Sequence, residues 1–183
     1  MKQLSFITAL CILISQPAAA NLLTAFDGSE GDIRWRVVND NVMGGRSDGG
    51  FKIDTGSLLF TGATNTRGGG FSSIRSVPQA IALPQAAQGF ELKLKGDGRT
   101  YTFRVVTSAN VTYWAEFPTT EEWGNVQVPF ARFKPRWRGR LLDGPQLDPT
   151  DIVSIGLMIY DGRDGEFLLE VDWIGFYEQG LSS

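Results

Sequence analysis

The sequence predicts an all-β fold, two antiparallel sheets packed as a sandwich, on three observations. Short segments of alternating apolar and polar residues recur along the chain, polar or glycine-rich turns separate them, and no stretch keeps a helical period. Composition agrees, because 11% aromatic residues suit pleated surfaces while 22 glycines and 8 prolines supply turns.

The amino terminus reads as a leader. Lys2, an apolar run from Leu4 to Ile14 and the exit Pro17-Ala18-Ala19-Ala20 have the pattern of a secretory signal peptide. This predicts cleavage near Ala20 and a secreted, periplasmic destination, with residues 21–183 forming a single domain. The apolar run is well short of the ~20 residues that span a bilayer, and no later segment is a transmembrane candidate. Cys11 follows the large Leu10, which does not suit lipid attachment.

With that cysteine inside the leader and no histidine anywhere, residues 21–183 hold no disulfide, thiolate nucleophile, imidazole base or cysteine–histidine zinc site. Most familiar catalytic constellations are thereby excluded, and a binding protein is expected rather than an enzyme. The formal net charge of −3, without a long basic block, argues against a nucleic-acid partner.

Strands are expected at roughly 50–54, 58–62, 71–76, 90–95, 101–107, 111–117, 125–130, 153–160 and 167–177. Two hairpins can be registered, since a slip of one residue would invert every side chain. Across Ser108-Ala109-Asn110, the first places Tyr101, Phe103, Val105, Tyr113, Ala115 and Phe117 on one face. Thr102, Arg104, Trp114 and Glu116 take the other, with Arg104 opposite Trp114. The second turns at 161–165 and sets Val153, Ile155, Leu157 and Ile159 beside Phe167, Leu169, Val171 and Trp173, with Glu170 and Asp172 on the reverse. A single helical turn is expected at Asp148-Pro149-Thr150-Asp151, where Asp148 caps.

The run from Trp35 through Asn39-Asp40-Asn41-Val42-Met43-Gly44-Gly45 to Ser47 is the most distinctive stretch. It is followed in order by Gly69-Gly70-Phe71 with Ser73 and Arg75, Gly96-Asp97-Gly98 with Tyr101, Trp123 leading into Pro129-Phe130, Arg138-Gly139, Ile155-Gly156 and the closing Phe167 to Asp172 run. Together these motifs resemble the complex I intermediate-associated protein family across nearly all of residues 21–183. The resemblance implies a galactose-binding-domain-like jelly-roll β-sandwich. It also implies a chaperone-like protein-binding role in assembling respiratory NADH:ubiquinone oxidoreductase, without catalysis.

Several residues are candidates for contact. Asp40, Asn41 and Arg46 would be presented by the Asn39–Ser47 loop, whose bland reading is a self-bonded turn with Met43 plugging the core. Trp114 beside Arg104 offers a flat stacking surface with directional donors, and Arg75 extends that patch. A protein partner is the first expectation, and a carbohydrate stacked on Trp114 is the alternative. No cofactor is required, although relatives of the implied fold bind calcium, for which Asp27, Glu30 and Asp172 are the candidate oxygen donors here. The basic stretch from Arg132 to Arg140 reads as a solvated crossover loop anchored by Trp137.

Overall fold

A computed structural model describes residues 21–29 and 32–178. The expected leader, Glu30 and the Met43 side chain lie outside the described residues. In chain order the strands are β1 (Leu22–Thr24), β2 (Trp35–Val37), β3 (Asp48–Asp54), β4 (Ser57–Thr64), β5 (Ser72–Ser76), β6 (Ala87–Gly96) and β7 (Thr100–Thr107). They continue as β8 (Thr112–Pro118), β9 (Gly124–Pro129), β10 (Lys134–Trp137), β11 (Arg140–Leu141), β12 (Ile152–Ile159) and β13 (Gly165–Glu178). Short 3-10 turns are the only helical elements among the described residues. One of them, Pro149–Asp151, is capped by Asp148, which accepts from the Thr150 amide at 2.9 Å.

Two antiparallel sheets form a jelly-roll sandwich. One runs β3-β4-β13-β6-β9 with β1 alongside β13, and the other runs β11-β10-β8-β7-β12-β5-β2. Their inner faces are apolar because alternate residues along each strand point the same way. Leu58, Phe60, Phe90, Leu92, Leu169 and Val171 from the first sheet meet Phe103, Val105, Phe117, Ile155, Leu157 and Ile159 from the second. Phe90 stacks on Phe103 across the gap, with ring centroids 4.6 Å apart, and Phe133 packs edge-on against both.

The β7–β8 hairpin has the register read from its side-chain pattern, with Arg104 opposite Trp114 and Phe103 opposite Ala115. The second expected hairpin does not form. β12 pairs with β5 and β7, whereas β13 pairs with β4 and β6 in the opposite sheet, so 160–165 is a crossover between layers. Ile155, Leu157 and Ile159 share one core with Phe167, Leu169 and Val171 from the opposite layer, whereas Val153 falls at a register shift and stays partly exposed; sequence alternation alone cannot tell such a contact from side-by-side pairing. A register shift between Val171 and Trp173 adds a further correction. Beyond it Ile174 joins the contiguous core, and Trp173, opposite Lys93, is covered on the outer face.

Residues 132–140 also differ from the expected loop, because β10 extends the second sheet beside β8 and turns back into β11. Arg138 and Gly139 both have positive φ, as a tight two-residue hairpin turn requires. Trp137 does not anchor this segment and is exposed.

The crossovers are locked by a buried cation. Arg99, at the entry to β7, is 5% exposed and donates to both carboxylate oxygens of Asp161 at 2.9 and 2.6 Å. Its other donors reach Gly165 O, Glu166 O, Arg163 O and Thr64 Oγ1 at 2.9–3.2 Å. Burial opposes ionisation of Asp161, but the Arg99 hydrogen bonds and charge outweigh it and hold the carboxyl below its usual value. Because the folded value is the lower one, this stabilisation is complete above the unfolded pKa, about 4, and drains away as pH falls through the folded value.

Asp161→Asn should therefore cost roughly 3–5 kcal/mol, since it leaves a buried guanidinium uncompensated. Denaturant unfolding at neutral pH measures this, and the variant should also lose part of the wild-type decline in stability below about pH 4. A loss under about 1 kcal/mol would show that the pair does not hold the crossovers.

Candidate functional site

The outer face of the seven-stranded sheet carries the site. Side chains alternate across each strand, so residues opposite Phe103, Ala115 and Leu157 on the inner face have neighbours that project outward. One cross-strand row runs Arg36, Arg75, Gly156, Arg104, Trp114, Lys134. Like charges directly opposite, as at Arg36 and Arg75, repel. The row is a cost to the fold rather than an aid to it.

Above this row lies a cleft of about 380 Å³, within the size range of small-molecule sites. Arg75, Arg104, Arg136 and Arg138 line it, together with Trp114 and Tyr160. Trp114 meets Tyr160 edge-on with centroids 5.8 Å apart, and the Arg136 guanidinium lies 5.7 Å from the Trp114 ring centroid. Phe71 meets Tyr160 on the far side at 6.4 Å. Among the described residues neither Asp nor Glu lines the cleft. Glu116, two residues along β8 from Trp114, projects from the same sheet face without lining it.

Each lining guanidinium on the sheet has little protein to bond. Arg75 Nε donates to Ser73 Oγ at 3.1 Å, Arg104 Nη2 to Thr112 Oγ1 at 3.0 Å, and Arg136 Nη1 to Gly139 O at 3.1 Å. Among the described residues none of the three pairs with a carboxylate. Burial, reinforced by Arg75 and Arg36, pulls the Arg104 pKa down to about 9. It remains charged at neutral pH while bearing a desolvation cost. Arg75 is shifted the same way, by burial and then by Arg36. Nε1 of Trp114 and Nε of Arg136 are buried donors without a protein acceptor.

The Asn39–Ser47 loop borders the cleft as a self-bonded turn, the second of its two sequence readings. Asp40, a candidate contact residue, is 0% exposed. Its carboxylate accepts from Ser47 N and Oγ at 2.9 and 2.6 Å, from Gly70 N at 2.7 Å and from Phe71 N at 3.4 Å. Burial raises its pKa, but these donors outweigh burial and leave it below the ordinary carboxylate value. Asp40 thus organises the loop and has no surface to offer a ligand. A Cβ on Gly45 or Gly69 would lie 2.2 or 2.6 Å from Asp40 side-chain atoms, so both glycines make room for that carboxylate. Asn41 and Arg46 are exposed and do not line the cleft, whereas Val42 does.

The acidic candidates are placed apart from the cleft. Asp172 pairs with Lys93 at 2.8 Å and Glu170 with Lys95 at 2.9 Å on the outer face of the other sheet. Asp27 is exposed and accepts from the Ser29 amide at 2.9 Å. The amino-terminal loop is organised by Asp32, which sequence reasoning missed and which accepts from Thr24, Ala25 and Gly28. No group of three metal-type ligands occurs among the described residues. Arg136 was also missed as a cleft residue. The alternation of Lys134, Arg136 and Arg138 with Pro135 and Trp137 was the signal for it.

Comparison with known proteins adds identity to this geometry. The family model "Complex I intermediate-associated protein 30 (CIA30)" matches residues 24–171. The chain belongs to the CIA30 family. A probable complex I intermediate-associated protein 30 of Caenorhabditis elegans is 32% identical over 95 residues, covering 47% of this chain and 28% of that protein. The Mus musculus protein of that name is 27% identical over 186 residues, covering 86% of this chain and 56% of its own length. This chain therefore spans only part of the length of these relatives.

Among solved structures, the carbohydrate-binding module CtCBM11 superposes with a TM-score of 0.65 at 17% identity, covering 89% of this chain and 99% of that one. The family 11 module of cellulase Lic26A-Cel5E from Clostridium thermocellum gives 0.62 at 16%, over 86% and 94%. At these identities the likeness establishes the galactose-binding-like jelly-roll fold. The comparisons overturn the expected secreted, periplasmic destination. The nematode, mouse and Drosophila melanogaster CIA30 proteins are named mitochondrial, which points to mitochondria instead. The leader pattern is compositional, and composition alone does not specify the compartment.

Packing around Asp40 gives a direct test. Gly45→Ala should cost about 1–3 kcal/mol by overpacking against the carboxylate. Asp40→Asn should lose at least as much, because an amide would turn N–H toward backbone N–H. Urea unfolding midpoints measure both, and a neutral Gly45→Ala would remove the packing argument.

Proposed function

We propose that this CIA30 family chain is a non-catalytic, chaperone-like binding module that assists assembly of complex I by holding a protein partner on its seven-stranded sheet. The observation that carries this reading is the family match over 24–171, which includes β2, β5, β7, β8, β10 and β12, the strands that build the cleft. The names of the relatives supply the process. The cleft rim supplies a physical reason for a protein partner, since Val42, Trp137 and Tyr160 are 68%, 59% and 43% exposed. Exposed large apolar and aromatic side chains grouped around a concavity are what interface anchors require.

Carbohydrate binding is a second reading, favoured by half-buried Trp114 in a cleft of a fold shared with carbohydrate-binding modules. The density of arginine beside Trp114 fits a neutral sugar poorly.

Cells lacking the chain should show depleted complex I and accumulated intermediates on native gels. Wild-type protein should restore assembly, and a Val42→Asp, Trp137→Ala double variant that folds normally should not. Unaltered complex I in the deletion would sink the assembly reading. Full rescue by the double variant would move the partner surface elsewhere.

A further inference from the structure

The floor of the cleft has a chemistry that the apolar rim does not explain. Four arginines line a space without any carboxylate, in a chain whose net charge is −3. Three partly or fully buried cations elsewhere in the fold are matched: Lys93 with Asp172, Lys95 with Glu170, Arg99 with Asp161. A bland reading of the arginines as solvated surface charge fails, because Arg75 and Arg104 are half-buried, and Arg104 is further disfavoured as a cation by Arg75 and Arg36.

We propose that this cleft is a binding site for a small phosphate monoester whose phosphate is held by Arg75, Arg104 and Arg136 and whose ring packs against Trp114 and Tyr160. Gly156 lies between Arg75 and Arg104 in the cross-strand row. Two strand spacings set those arginine backbones about 10 Å apart. With no side chain between them, both guanidiniums are free to converge on one oxyanion. A Cβ there would come within 2.7 Å of Ile74 O and 3.4 Å of the Arg75 side chain. Each of the three arginines makes one hydrogen bond to protein and retains most of its five N–H donors.

Three cations exceed what one carboxylate needs and match a phosphate dianion, which accepts several charge-assisted, bidentate hydrogen bonds. The volume of about 380 Å³ holds a single sugar or nucleoside unit rather than a folded segment of protein. Aromatic walls account for the ring, since an indole and a phenol meeting edge-on leave apolar faces for stacking.

The proposal predicts a trade between stability and binding. An anion relieves the repulsion among these arginines, so removing Arg104 should stabilise the empty protein while weakening the site. Calorimetric titrations in phosphate-free, low-salt buffer would use AMP and glucose 6-phosphate beside adenosine, glucose and inorganic phosphate. At least one ester should bind about tenfold or more tightly than its neutral counterpart and than inorganic phosphate, and added salt should weaken it.

Arg104→Gln should raise the melting temperature without ligand and lose about tenfold or more in ester affinity. Arg75→Gln is the second variant, and should lose affinity similarly. Neither ester exceeding its neutral counterpart would overturn the proposal, as would unchanged affinity in both variants. Inorganic phosphate binding as tightly as the esters would overturn the assignment to monoesters. These measurements use purified protein and no partner, so their failure leaves the assembly reading standing, and the reverse also holds.

Discussion

Several chain segments leave one sheet and enter the other at the same end of the sandwich, and the Arg99–Asp161 pair holds two of them there. One segment carries 97–99 from β6 into β7, and the other carries 160–165 from β12 into β13. Arg99 serves the carbonyls of Arg163, in the second crossing, and of Gly165 and Glu166, at the start of β13, while its charge is neutralised by Asp161. Buried pairs repay desolvation only when their remaining donors are satisfied, as they are here. Because β7 and β12 are adjacent and central in the seven-stranded sheet, fixing their shared end sets the row in which Arg104 and Gly156 lie.

A second buried charge does for the cleft border what the first does for the crossovers. Asp40 draws amide donors from Ser47, Gly70 and Phe71, so two loops far apart in sequence are drawn onto one carboxylate. That places Val42 and Phe71 beside the sheet face. The two carboxylates build rigid edges, and the arginines between them are left without such partners. The molecule thus spends its acidic groups on architecture and keeps its cleft cationic, and this contrast separates structure from candidate function more clearly than residue type does.

Much of this was legible in residues alone. Alternation gave the nine principal strands and the β7–β8 register, because a face must be wholly apolar or wholly not, and that register set Trp114 against Arg104. The shared face of Ser73 and Arg75 was also readable, as two residues separated by one. Less legible were β10 and β11, where prolines, arginines and a tryptophan obscure a two-residue period. Asp40 left two readings open because Asp and Asn in a glycine-rich loop serve equally well as surface ligands or as internal acceptors. Burial decides between those roles, and burial of a loop depends on what the rest of the chain lays over it.

The sequence by itself determined the class of fold, the inward and outward faces of most strands and the family, since these follow from local periodicity and from motifs in order. Beyond the β7–β8 hairpin, tertiary structure alone decided which strands neighbour one another. β12 and β13 offer similar alternating apolar rows, and only the closure of both sheets sends them to opposite layers. It also decided where the register shifts at Asp172, and that Arg75, Arg104 and Arg136 line one cleft although 61 residues separate the first from the last. Convergence of distant charges is a property of sheet order, which no local pattern encodes.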